Sequence, residues 1–168
     1  APMAGTDSRD SVAKYLQTEA KKGEITVGVV EDPWFYTPPL FPDANAPRFV
    51  PFDYRLQAME VSHLGIKTVQ YLPPNLNERF DWDVRLLTET KPQFVVASSY
   101  ESFDLNRLAM TPGQRPEVQI QVDRFIEFRK MLDELYSPAF FAGPPQTSVH
   151  DLDYARPMIW VWKLKTTP

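Results

Sequence analysis

Residues 91–101 constrain the fold more than any other part of the sequence. They contain four consecutive apolar residues at positions 94–97, two of them β-branched, preceded by Pro92 and followed by Ser98 and Ser99. A run of this kind is typical of a strand buried on both faces, and such strands lie centrally in α/β sheets. Because open α/β sheets bind ligands beyond the carboxyl ends of their strands, the polar residues after the run mark a candidate site.

The composition favours one domain. The chain has 168 residues, of which 43% are hydrophobic, enough for one substantial core and too few for two ordinary domains. Seventeen prolines against six glycines indicate long, stiff and ordered loops. We therefore expect residues 1–168 to form a single three-layer, Rossmann-like α/β domain with a mostly parallel central sheet and long Pro-rich loops.

Charge and residue usage exclude several functions. The net charge is −4 and the basic residues are scattered among acids, so a nucleic-acid partner is not expected. The absence of cysteine removes disulfides, thiolate nucleophiles and cysteine-based zinc sites. No glycine-rich phosphate cradle occurs, and we expect no cofactor and no metal. No apolar run approaches the ~20 residues of a membrane helix, and the first residues lack a signal-peptide pattern.

Hydrophobic periodicity predicts the elements around the central run. An amphipathic helix should begin at Asp7 or Ser8 and end near Gly23, followed by a buried strand at residues 25–30. Later positions also have recognisable patterns, and they predict a half-exposed strand at 54–61, a short strand at 66–72, a short helix at 81–90, the longest helix at 118–136, a short strand at 138–141 and an edge or second-last strand at 158–164.

Residues 31–51 form an irregular loop in which aromatic residues follow the first buried strand. Trp34, Phe35 and Tyr36 could stack on a sugar or a lipid headgroup. They could also fold back to cover the sheet edge, and we favour this interpretation because aromatic side chains bury large areas. Glu31 and Asp32 have the residue types of carbohydrate chemistry, but adjacent side chains usually point apart, so we do not expect a catalytic pair.

A second cluster follows the central run and contains Ser98, Ser99, Tyr100, Glu101 and Asp104. A nucleophilic serine normally lies on a sharp, glycine-flanked turn beside a histidine base. Neither serine has a glycine neighbour. We therefore favour an interpretation in which the serines and Asp104 cap the following helical turn.

A third cluster lies near the carboxyl end of the chain and contains His150, Asp151, Asp153, Tyr154 and Arg156. One histidine with carboxylates at spacings of one and three is a weak pattern for a metal site. We favour an ion pair between Arg156 and one of the acids, which would hold the loop. The other histidine, His63, is expected at a turn or on the surface.

Three segments distributed along the sequence share a resemblance. They are Thr6-Asp7-Ser8-Arg9 ahead of the first helix, Pro92-Gln93-Phe94-Val95-Val96-Ala97-Ser98-Ser99-Tyr100-Glu101, and Tyr154-Ala155-Arg156-Pro157-Met158-Ile159-Trp160-Val161-Trp162. Together they resemble the C-terminal soluble domain of bacterial membrane glycosyltransferases of the protein-mannosyltransferase and ArnT-like type. Those enzymes use a polyprenyl-phosphate-linked sugar, and their catalytic acids lie in a loop between early membrane helices, which this chain does not contain.

The resemblance implies a non-catalytic accessory domain, excised from a larger membrane protein. Its location would be the extracytoplasmic, periplasmic face of the bacterial cytoplasmic membrane. Its main partner would be the membrane-embedded part of the same polypeptide, with a glycan or protein acceptor as a further partner. No catalytic residue is carried over to this chain.

Two other hypotheses remain open. One is a free-standing module that binds glycan or peptide on the aromatic residues 34–36. The other is a small hydrolase using Ser99 or Glu101 with His150, which requires these groups to lie within hydrogen-bond distance. Across the hypotheses, the candidate ligand or partner contacts are Trp34, Phe35, Tyr36, Ser98, Ser99, Tyr100, Glu101, His150 and Asp151.

Overall fold

The computed structural model describes residues 7–42, 61–143 and 157–166, together with the single positions Leu56 and Met59. In these residues the helices are α1 (Ser8–Ala20), α2 (Ser99–Ala109) and α3 (Pro116–Leu135). The strands are β1 (Ile25–Val29), β2 (Ile66–Val69), β3 (Phe94–Ser98), β4 (Tyr136–Ala142) and β5 (Ile159–Leu164). A short 3-10 turn (Leu76–Glu78) and a π-helical turn (Leu86–Thr90) lie between β2 and β3.

The five strands form one mixed sheet in the order β2-β1-β3-β5-β4. β2, β1 and β3 are parallel, whereas β5 runs antiparallel to both β3 and β4. The predicted α/β class is therefore confirmed, with a parallel core and antiparallel pairing on one side. β3 is the middle strand, and β5 is second from the edge, as its pattern predicted.

The side chains of β3 alternate between two hydrophobic clusters on opposite faces of the sheet. Phe94 and Val96 pack in the cluster that includes α1, whereas Val95 and Ala97 pack in the cluster that includes α3 and the π-helical turn. All four are at most 3% exposed. The prediction that residues 94–97 form an inner strand buried on both faces is confirmed.

The first helix and strand follow from local sequence. Asp7 is the N-cap of α1, and its carboxylate accepts a hydrogen bond from the backbone N–H of Arg9 at 2.9 Å. The helix ends before Gly23, whose φ of +147° is a conformation that side chains disfavour. The chain then enters β1, where the isoleucine and valines of the strand are buried.

The segment before β3 differs from the short helix predicted at residues 81–90. Trp82 has a φ of +56° and interrupts any regular helix there. Helical turns are confined to one π-helical turn, which ends at Lys91 with a φ of +50°. The physical reason is the following Pro92, which disfavours the right-handed helical conformation in the residue before it.

The strand predicted at residues 54–61 is wrong at the two positions described within its interior. Leu56 and Met59 have helical backbone, and Met59 is 3% exposed in the cluster with α1. The strand prediction relied on the alternation of Leu56 and Ala58, whereas Leu56 and Met59, three residues apart, share one face of a helix. Residues 54–55, 57–58 and 60 lie outside the described part of the chain.

The residues after β3 form α2, which is longer than the capped turn that the sequence predicted. The prediction missed this helix because its partly exposed apolar residues give little periodicity. The Pro-rich loop is described only as far as residue 42.

The third predicted cluster, with His150, Asp151, Asp153 and Arg156, lies outside the described residues. Within the described ranges, no helix has the length and apolar character needed to cross a bilayer.

Candidate functional site

A cleft of about 580 Å³ opens beyond the carboxyl ends of the parallel strands. Its walls are the residues that follow β1 and β2, the segment 79–86, the first turns of α2 and one face of α3. This is the edge at which open α/β sheets bind ligands. The prediction of a site after the central strand therefore coincides with a cleft at that edge.

Glu101 lies in this cleft in the first turn of α2, and its side chain is half-buried. Its Oε1 accepts a hydrogen bond at 2.9 Å from the backbone N–H of Ser98, the N-cap residue of α2. Burial and, to a smaller extent, the negative charge of Glu31 raise the pKa of Glu101, whereas hydrogen bonding to Ser98 lowers it, and the net pKa is about 8. A carboxyl group with this pKa is largely protonated at neutral pH and can donate a hydrogen bond.

The adjacent acids Glu31 and Asp32 also line the cleft, but they have different partners. Tyr36 donates its hydroxyl proton to Glu31 Oε2 at 2.9 Å. Asp32 forms an ion pair with Arg79 at 2.9 Å and accepts a weaker hydrogen bond from Gln70 Nε2 at 3.3 Å. The two acids are thus held separately, and neither is positioned by the other.

Trp82 is the most deeply buried polar group in the cleft wall. It is 2% exposed, and its indole ring packs edge to face against Phe125 and Phe128, with ring centroids 4.7 and 5.2 Å apart. Its backbone N–H donates to the Val30 carbonyl at 2.9 Å. Within the described residues, neither its indole Nε1 nor the buried Oε1 of Gln70 has a hydrogen-bond partner. Orphaned buried polar atoms are uncommon in folded proteins.

The arginines of this region are held by acids and rings. Arg85 makes a two-pronged contact with the buried carboxylate of Asp83, with atom pairs at 2.9 and 2.7 Å. This hydrogen bonding raises the already high pKa of the Arg85 guanidinium. Its guanidinium also lies 4.3 Å from the centre of the Tyr71 ring, and Arg124 lies 3.7 Å from the centre of the Phe80 ring.

The aromatic residues of the first loop pack against the start of α2. Tyr36 is 6% exposed and stacks on Tyr100 with a centroid distance of 6.0 Å. Phe35 contacts Tyr100 edge to face at 5.1 Å, and its carbonyl oxygen accepts a hydrogen bond from Arg9 Nη1 at 2.6 Å. Trp34 is half-buried and lies 6.3 Å from Phe35. The structure therefore brings residues 34–36 and Tyr100 together, with Tyr36 covered rather than presented as an open face.

The two serines are buried and join elements of the fold. Ser98 is 1% exposed and Ser99 is 7% exposed. The backbone N–H of Ser99 donates to the Met158 carbonyl at 2.8 Å, and the Met158 N–H donates to Ser99 Oγ at 3.1 Å. The hydroxyl of Ser99 thus connects the start of α2 to the start of β5. His150 and Asp151, the proposed partners of a hydrolase site, are not among the described residues.

Sequence reasoning missed several cleft residues, above all Gln70, Arg79 and Trp82. Gln70 could have been found, because it lies near the carboxyl end of a predicted strand and the carboxyl ends of parallel strands lie at one edge. Arg79 lies outside the predicted elements and Trp82 was assigned to a helix, so only the tertiary structure places them in the cleft. Among the residues that the structure describes, no group of three or more acids or histidines is arranged to hold a metal ion.

Fold and cleft together define an α/β protein with a polar, ligand-sized cleft at the carboxyl edge of its parallel strands. Neither a family model, nor a curated protein, nor a solved structure matches the chain at the significance we required.

Proposed function

We propose that this chain is a Rossmann-like, three-layer accessory domain of a bacterial membrane glycosyltransferase that uses a polyprenyl-phosphate-linked sugar. In this proposal the domain is non-catalytic, lies on the extracytoplasmic face of the cytoplasmic membrane and contacts the membrane-embedded part of its own polypeptide. A glycan or protein acceptor is the further partner.

The observation that carries the proposal is that the three segments with the resemblance contact one another in the fold. Ser8, from the first segment, donates its hydroxyl proton to the carbonyl of Pro157 in the third. Ser99, from the second, exchanges two hydrogen bonds with Met158 in the third, at 2.8 and 3.1 Å. Residues about 150 positions apart in sequence thus form one contiguous region at the end of β3. A resemblance distributed over three short segments gains weight when they form a single structural unit.

The direction of α1 supports a specific placement relative to the membrane. Its first residue, Ser8, lies beside Pro157, which precedes β5 and so lies at the carboxyl end of β3. A membrane helix preceding residue 1 would deliver the chain to the edge of the sheet at which the cleft opens. The cleft would then face the membrane-embedded enzyme, and the domain would cover the mouth of its active site or contact the acceptor.

The full-length reading frame tests this proposal. We expect several membrane-spanning helices upstream of residue 1, and the last of them should end shortly before that residue. We also expect the full-length protein to transfer sugar from a polyprenyl-phosphate donor, and the 168-residue chain alone to transfer none. A complete gene without upstream membrane helices would remove the proposal, and so would sugar transfer by the 168-residue chain alone.

One alternative is a free-standing module that binds glycan or peptide; the ligand-sized cleft is compatible with it, whereas Tyr36, one of the aromatic residues suggested for stacking, is covered. The hydrolase hypothesis gains no support from the contacts of Ser99, because its hydroxyl is buried and already accepts a hydrogen bond from Met158.

A further inference from the structure

Two residues of the cleft wall each carry a buried polar atom that no described residue hydrogen-bonds. Trp82 Nε1 is a donor on a side chain that is 98% buried, and Gln70 Oε1 is an acceptor on a half-buried side chain. Both residues line the cleft, and no described residue satisfies either atom. Leaving such atoms unpaired destabilises a fold, so a ligand that completes both bonds would relieve the penalty.

Glu101 adds a third group of the same kind. Its Oε1 is occupied by the Ser98 N–H, and its raised pKa keeps a proton on the carboxyl group near neutral pH. A protonated carboxyl offers a donor as well as an acceptor. Trp82, Gln70 and Glu101 thus present donors and acceptors in one cleft, although they belong to three separate segments of the chain.

The charges around these groups restrict the ligand. Glu31, Asp32, Asp81 and Asp104 line the cleft and outnumber its arginines, which disfavours phosphate and other anions. A cation would satisfy the carboxylates but could not accept a hydrogen bond from the indole N–H of Trp82. A hydroxyl group both donates and accepts, and several hydroxyls on one rigid ring can satisfy a donor and an acceptor together.

We propose that the cleft binds a neutral sugar ring through Trp82 and Gln70. The cleft volume of about 580 Å³ lies within the range of small-molecule sites, roughly 300–1,000 Å³. The inference deepens the proposed function and rests on it for the source of the sugar, but the binding itself depends only on residues of this chain. It also moves the predicted glycan contact from the aromatic residues 34–36, which do not line this cleft, to Trp82 and Gln70, which do.

The test is a sugar titration of the ¹⁵N-labelled 168-residue chain, followed by NMR. The chain has four tryptophans, so each indole N–H gives its own cross-peak, and the Trp82→Phe variant identifies that of Trp82. If that variant does not fold, triple-resonance assignment of the wild-type chain replaces it. The probes are the methyl glycosides of mannose, glucose and galactose, and N-acetylglucosamine, each up to about 50 mM so that millimolar affinities are covered.

We expect at least one sugar to shift the Trp82 indole peak saturably downfield while the peaks of Trp160 and Trp162 on β5 stay unchanged. Gln70→Ala should weaken binding about fivefold, the loss expected for one neutral hydrogen bond. The matched control is Gln114→Ala, because Gln114 bonds to Thr111 in its own loop outside the cleft, and this variant should bind like the wild type.

Three results would overturn the inference: no saturable shift of the Trp82 peak with any of the sugars, equal affinity of the Gln70→Ala variant and the wild type, or a shift produced by a lysine-containing peptide and by none of the sugars. Each of them would leave the proposed membrane attachment intact, because the reading frame tests attachment independently. Conversely, a gene without membrane helices would leave sugar binding by the cleft unaffected.

Discussion

Replacing Glu101 with glutamine would measure how strongly the folded chain disfavours a negative charge in the cleft. The Glu101 Oε1 accepts the Ser98 N–H at 2.9 Å at the start of α2. Glutamine keeps an acceptor oxygen of the same reach and cannot ionise. The substitution therefore removes the charge and retains the contact that caps the helix.

The magnitude follows from the pKa. The pKa of Glu101 rises from the ordinary 4.5 to about 8, mainly through burial and to a smaller extent through the negative charges of Glu31 and then Asp81. A shift of this size corresponds to at most about 4–5 kcal/mol. Because the side chain remains in partial contact with water, which screens these charges, we expect about 2 kcal/mol.

The direction of the pH dependence follows from proton binding. The pKa is higher in the folded chain than in the unfolded chain, so the folded chain holds this proton between the two values. The contribution of Glu101 to the free energy of unfolding is therefore greatest below pH 4.5, decreases as the pH rises from there, and is lost above about pH 8. The glutamine variant lacks this contribution. It should match the wild type near pH 4.5 and be about 2 kcal/mol more stable above pH 8.

Urea denaturation at the two pH values measures this difference, because all other titrating groups are common to both proteins. Glu117→Gln is the matched control, since Glu117 is an exposed acid in the first turn of α3. Because this variant removes a carboxylate outside the cleft, it should not become more stable than the wild type above pH 8. A stability difference between wild type and Glu101→Gln that does not change with pH would refute the reasoning, and so would a variant that is less stable above pH 8.

Three further substitutions test the packing that positions the cleft. Gly28→Ala would place a Cβ 2.7 Å from Pro92 Cγ and should lower the free energy of unfolding by about 1–3 kcal/mol; an unchanged urea midpoint would contradict this close approach. Tyr136→Phe removes the donor to the buried Pro92 carbonyl, which should destabilise by about 1–3 kcal/mol. Burial raises the pKa of Tyr136 to about 12, so an alkaline absorbance titration of the variant should lack the latest tyrosinate component. Phe128→Ala empties a fully buried position beneath Trp82 and should cost about 3–5 kcal/mol in urea denaturation, whereas Ile126→Ala, 47% exposed on the same helix, should cost far less.

The parts of the fold that sequence predicted are those in which one strong pattern determined the outcome. Residues 94–97 are four consecutive apolar residues, and only an inner strand buries alternate side chains on both faces. The first helix was equally well defined, because Asp7 supplies its cap and Gly23 a left-handed turn beyond its end. Leu56 and Met59 were predicted wrongly because the strand prediction followed the alternation of Leu56 with Ala58, and a short segment offers too few residues to choose between that alternation and the helical spacing of Leu56 and Met59.

The site was predictable in position but not in membership. The edge of the sheet followed from the central strand, and Glu101 followed from the cluster after it. Trp82 was placed inside a helix on the basis of apolar spacing, yet its left-handed backbone turns the ring beneath the cleft against Phe125 and Phe128. No local pattern encodes that conformation, because the packing around the residue maintains it.

Several features of the cleft lower stability, and their coincidence bears on function. Trp82 combines a left-handed φ with an indole N–H that no described residue accepts, the Oε1 of Gln70 is buried without a donor in the same part of the chain, and Glu101 resists ionisation. Each of these features opposes folding, by backbone strain, by unpaired polar atoms or by the pH dependence worked out above. Departures from local consistency are expected where residues serve binding rather than folding. All three residues line one cleft at the carboxyl edge. The ligand binding that we propose would account for the unpaired atoms and for the resistance of Glu101 to ionisation together, whereas packing against Phe125 and Phe128 accounts only for the backbone conformation of Trp82.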